Sequence, residues 1–72
     1  MGEQYCVRLV GSECRLQIEV DAARNIEDLG GLMARTRCLI GRLVSENGEQ
    51  VDPPVRVLIP AHRVDLIVGR DE

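Results

Sequence analysis

Cys14-Arg15-Leu16-Gln17-Ile18-Glu19-Val20 alternates without a fault, apolar or thiol at even positions and polar at odd ones. A β-strand turns successive side chains to opposite faces. This period of two therefore predicts a strand with Cys14, Leu16, Ile18 and Val20 inward and Arg15, Gln17 and Glu19 in water. One dry face and one wet face point to an antiparallel sheet, since parallel strands are covered on both sides and read as continuous apolar runs.

The neighbours of this strand extend the pattern. Tyr5 to Val10 reads as a second strand with Tyr5, Val7 and Leu9 on one face, and Gly11-Ser12-Glu13 between the two is a turn of hairpin length. Downstream, the Asp21 carboxylate can cap a helix on which Ala22, Ile26, Leu29 and Met33 share a face, with Arg24, Glu27 and Asp28 away from it. Gly30-Gly31 opposes a long helix. Two glycines inside a helix cost about 2 kcal/mol relative to alanine, while glycine just past a helix end is favoured. The expectation is a short helix over 22–29 stopped by the glycines, with a longer one to Arg35 as the alternative.

After the glycines the period returns to two. Ala34, Thr36, Cys38 and Ile40 alternate with Arg35, Arg37 and Leu39, which predicts a strand, and Gly41 suits a bulge that would move Leu43 to the side of Ile40. Asn47-Gly48 is a strong hairpin signal, but Pro53-Pro54 opposes a straight return strand, so residues 44–60 are expected to hold a loop with a mobile tip. Val55, Val57 and Ile59 alternate again, Pro60-Ala61-His62-Arg63 breaks the run with a tight turn, and Val64, Leu66 and Val68 resume it. Gly69 to Glu72 reads as a frayed polar tail. The predicted order is ββαβββ in a single domain over 1–72: a small β-rich α+β fold with one short helix, either an antiparallel sheet or a partly open five-stranded barrel.

The stretch Val57-Leu-Ile-Pro-Ala-His-Arg-Val-Asp-Leu-Ile67 resembles the end of SH3-like and Sm-like small barrels, where a strand, a one-turn 3₁₀ element and a last strand follow one another. The resemblance implies a fold and no functional residues. The chain lacks the aromatic groove by which SH3 domains hold proline-rich peptides, and the N-terminal helix that usually opens an Sm-like domain.

All nine basic residues are arginines, and there is one histidine (His62), one tyrosine (Tyr5) and no phenylalanine, tryptophan or lysine. A core must therefore be aliphatic, drawn from Val7, Leu9, Leu16, Ile18, Val20, Leu32, Leu39, Ile40, Leu43, Val55, Val57, Ile59, Val64, Leu66 and Ile67. That supply is generous for 72 residues. A domain this small commonly needs a further staple, and surplus apolar surface makes self-association the favoured one. The net charge of −3 argues against general binding of nucleic acid or anionic membranes. No apolar run approaches the roughly 18 residues of a membrane span, and the first residues lack a charged-then-apolar signal pattern. A cytoplasmic setting is expected. Cys6, Cys14 and Cys38 are odd in number and form no CxxC, so buried thiols are expected rather than disulfides. A zinc site built from them with His62 would lack the short paired ligand spacings usual for zinc; neither metal nor cofactor is expected.

The candidate site is basic. Arg35 and Arg37 on a strand would point the same way about 6.6–6.8 Å apart, close to the spacing of neighbouring phosphates. Arg42 would join them past a bulge at Gly41, and no acid occurs from Leu29 through Ser45. Arginine's planar fork suits phosphate or carboxylate, although a solvated face paired with acids on the next strand is the favoured reading. His62 and Arg63 beside Pro60 form a second basic spot. For catalysis, Cys38 with His62, or Ser12 or Ser45 with His62, has no orienting third group or surrounding motif. The adjacent carboxylates Glu27-Asp28 and Asp71-Glu72 suit solvent, and no glycine pattern cradles a phosphate. No enzyme is expected. The leading expectation is a small self-associating interaction module that binds a macromolecular partner through an edge strand or a leftover aliphatic face. The alternative is binding of an RNA or DNA backbone through Arg35, Arg37, Arg42 and Arg63; a small-molecule oligomer with a site at its symmetry axis is a third reading without a motif.

Overall fold

The computed structural model describes residues 2–69. Strands β1 (Glu3–Leu9) and β2 (Arg15–Val20) precede helix α1 (Ile26–Thr36); β3 (Cys38–Glu46), β4 (Glu49–Pro60), a 3₁₀ turn (Ala61–Arg63) and β5 (Val64–Gly69) follow. The five strands form one antiparallel sheet in the order β4-β3-β2-β1-β5. The domain is thus a small α+β fold of ββαβββ order with an open sheet, whose free edges are β4 and β5.

The period of two in β1 and β2 sets the core. Tyr5 pairs with Ile18 and Val7 with Leu16 across the ladder; Tyr5, Val7, Ile18 and Val20 are buried together with Ala23, Leu29 and Leu39. Leu9, Leu16, Met33, Leu43, Val57, Ile59, Val64 and Ile67 pack around them, half-buried. The expected tail is placed only as far as Gly69, the last residue of β5; Asp71 and Glu72 lie outside the described residues.

The helix corrects the reading of its sequence. It starts at Ile26, capped by Asn25, whose side-chain oxygen accepts from the Asp28 N–H at 2.8 Å. Asp21 is not the cap, because its carboxylate is held by Arg42 instead. The helix runs through Gly30 and Gly31 to Thr36, close to the longer alternative, and ends at Arg37 in the left-handed conformation (φ 60°), whose N–H donates to the Met33 carbonyl at 2.7 Å. Burying Leu29 completely and packing Met33 on the core offsets the glycine cost, since a fully buried leucine contributes about 1.5–3 kcal/mol. Ala23, not Ala22, is the buried alanine before the helix, and Ile26 is partly exposed, at 37%.

On β3 the inward residues are Leu39 and Leu43, with Ile40 exposed. Gly41 is not a bulge but a close approach: a Cβ there would stand 2.5 Å from the Glu19 carbonyl oxygen and 2.6 Å from Ile18 Cγ2. The register instead slips past Val44, where Gln17 faces Ser45 and Ile18 faces Leu43. No long loop follows, contrary to expectation. Asn47 (φ 54°) and Gly48 (φ 84°) make a tight two-residue hairpin, and the Asn47 side-chain oxygen accepts from the Arg15 N–H at 2.9 Å. Strand β4 begins at once, and its prolines fall where the β3–β4 register shifts between Leu43 and Ser45.

Strand β5 also departs from simple alternation. Leu9 faces Val64 while Arg8 faces Leu66, so Asp65 is an extra residue and every later side chain changes face. Ile67 thereby turns inward and Leu66 and Val68 outward, reversing the expectation for this strand. Val55 and Ile40 likewise leave the expected core.

Candidate interaction site

The wet face of the sheet carries more apolar surface than its sequence announces. Ile40 on β3 and Leu58 on β4 are directly opposed cross-strand partners, and Leu58 is 63% exposed. On the other edge Leu66 and Val68 of β5 are about half exposed, while Val55 of β4, opposite Leu43, is exposed on the core side of its edge. The residues inward of these satisfy the core. The outward ones remain because a chain rich in aliphatics folds into a sheet whose two edges stay open.

The expected arginine face is divided. Arg42 points to the outer face and is neutralised there: its Nη2 donates to Glu19 Oε1 at 2.7 Å and to the Asp21 carboxylate at 3.0 Å, and its Nε also donates to Glu19. The hydrogen bond to Glu19, followed by the Asp21 charge, holds the guanidinium pKa above its ordinary value. Arg42 is therefore withdrawn from the proposed anion site. Arg35 and Arg37 do not share a strand either; they occupy the last helical turn and its left-handed cap.

The backbone segments that carry Arg35, Arg37, His62 and Arg63 meet at one end of the fold. The Arg37 carbonyl accepts from the Ala61 N–H at 2.9 Å, and the Arg63 carbonyl accepts from the Val10 N–H at 2.8 Å. The 3₁₀ turn bearing His62 and Arg63 is thus tied to the end of α1. All four side chains, Arg35, Arg37, His62 and Arg63, are exposed, and no ion pair engages these arginines among the described residues. Sequence spacing gave no sign of this juxtaposition, which the register pair Cys38–Pro60 creates.

A groove of about 490 Å³ lies between α1 and the outer face of the sheet. Ala22, Leu32, Cys38 and Ile40 supply its apolar surface, and Arg42, Glu19, Asp21 and Arg56 its polar rim. Sequence reasoning missed it, because its helical wall exists only if the helix continues past Gly30-Gly31.

The thiols are free and half-buried. Cys38 lines the groove, Cys14 receives a long hydrogen bond from Asn47 Nδ2 (3.7 Å), and Cys6 faces Val68 and Gln17 on its two sides. No hydrogen bond joins Cys38 to His62 among the described residues; Ser12 Oγ accepts from the Cys14 N–H at 3.1 Å. Among these residues no group of three or more His, Cys, Asp or Glu is placed to hold a metal ion, and no helix is long and apolar enough to cross a membrane. Comparisons with protein-family models, curated proteins and solved structures find no match for the chain.

Proposed function

We propose that this domain is a small self-associating interaction module that acts by binding a macromolecule, with a second copy as its first partner. One observation carries the reading: both free edges of an open antiparallel sheet bear exposed aliphatic side chains, Leu58 and Val55 on β4 and Leu66 and Val68 on β5. Unpaired strand backbone flanked by apolar side chains is a template for another strand, and pairing with a copy satisfies both at once.

Light scattering coupled to size-exclusion chromatography over a range of concentrations tests it, with Leu58→Lys and Leu66→Lys as single variants. A defined oligomer is expected for the parent chain. If edges pair like with like, one variant alone dissociates it; if β4 meets β5, either does. Because Leu58 is exposed, its replacement leaves the monomer within about 0.5 kcal/mol of parent stability. A parent chain that stays monomeric at all concentrations overturns the proposal.

A second reading rests on the basic end formed by Arg35, Arg37, His62 and Arg63. With one tyrosine and no tryptophan or phenylalanine to stack on bases, it would hold a nucleic-acid backbone through phosphate contacts alone. Arg37→Ala with Arg63→Ala would then weaken binding to all sequences and flatten the salt dependence by about two units of slope. Unchanged affinity in that variant removes this reading.

A further inference from the structure

We propose that the groove between α1 and the outer face of β3 binds a small amphipathic anion, its apolar body on Leu32, Cys38 and Ile40 and its charged group on Arg56. The volume of about 490 Å³ falls within the roughly 300–1,000 Å³ typical of small-molecule sites. Its apolar wall is exposed to solvent, as Ile40 at 46% shows, so a hydrocarbon body placed there removes apolar surface from water on both sides.

Charge fixes the orientation. Arg42 and Arg56 are directly opposed across β3 and β4. Two carboxylates compensate Arg42, at 2.7 Å from Glu19 and 3.0 Å from Asp21, whereas Arg56 has no ion pair among the described residues. The groove thus has an acid-rich end, which repels an anion, and a cationic rim at Arg56. A carboxylate, sulfonate or phosphate monoester at Arg56 would take a two-pronged hydrogen bond from this guanidinium, which has no ion pair among the described residues. Arg56 lies on β4, an edge strand that the self-association reading also uses, so the oligomeric state is followed separately.

Two-dimensional amide NMR of the full chain, titrated with decanoate and separately with 1-decanol below their aggregation limits, tests the site. Decanoate is expected to give saturable shifts at Leu32, Thr36, Cys38, Ile40 and Arg56, with decanol binding about tenfold more weakly, the ratio expected for one charge-assisted contact. Arg56→Gln should weaken decanoate by a similar factor and leave decanol unchanged; Arg63→Gln, at the other basic cluster, should change neither. Equal affinity for decanoate and decanol in the parent chain overturns the anion site. Shifts that do not saturate, or that centre on Leu66 and Val68, overturn the groove itself. Oligomeric state, followed in the same samples, reports separately on edge pairing.

Discussion

Gly41 lies against Ile18 so closely that a single methyl group on residue 41 would stand 2.6 Å from Ile18 Cγ2. The backbone oxygen of Glu19 is nearer still, at 2.5 Å, and a strand carbonyl within a ladder has little room to yield. Gly41→Ala is therefore expected to destabilise the domain by about 1–3 kcal/mol, the usual cost of overpacking. A fall in the urea midpoint without a change in slope measures it. An unchanged midpoint would mean that β3 does not approach β2 in this way.

Gly30 and Gly31 behave oppositely. Among the described residues a Cβ at Gly30 meets nothing within 4 Å, and one at Gly31 only the end of Arg35, at 3.8 Å. Alanine at each position should stabilise the helix by about 0.5–1 kcal/mol. Thermal unfolding of the double variant would show the gain; a loss would place a helix end at the glycines.

Asn25, not Asp21, caps the helix. Asn25→Ala removes the hydrogen bond to the Asp28 N–H and should cost about 1 kcal/mol with reduced helical circular dichroism. Asp21→Ala should leave the helix signal unchanged, since that carboxylate serves Arg42. The reverse pattern would restore Asp21 as the cap.

Tyr5 makes stability depend on alkaline pH. Burial holds its phenol pKa above the ordinary value, and the Glu3 and Asp28 carboxylates push in the same direction. The unfolded chain releases this proton near pH 10, while the native state keeps it to higher pH. The contribution is complete below about pH 10 and is lost as pH rises through the folded pKa, because there the native state binds more protons than the unfolded one. With one tyrosine and no tryptophan, tyrosinate absorbance follows this single group. A native midpoint at or below that of the unfolded chain would contradict its burial. Tyr5→Phe should abolish this part of the alkaline loss.

Much of the fold was legible because strands and turns are written in short-range chemistry. The alternation from Cys14 to Val20 and the Asn47-Gly48 hairpin carry over directly into β2 and the β3–β4 turn. The site was far less legible. Arg42 pairs with acids of the neighbouring strand and its end, the reading favoured for the arginine face, but only the β2–β3 register picks out Glu19 and Asp21; Arg37 and Ala61 become neighbours only through pairing of β3 with β4.

Side-chain period and local turn conformation suffice for the order of elements, the antiparallel sense and the inward faces of β1 and β2. The extent of the helix and the faces of β3 and β5 depend on contacts between residues distant in the chain. Burial of Leu29 and packing of Met33 outweigh two glycines, and the slips at Val44 and Asp65 are set by strand partners distant in sequence. One extra residue in a ladder turns every later side chain to the other face. That is why Leu66 and Val68 meet water while Ile67 joins the core.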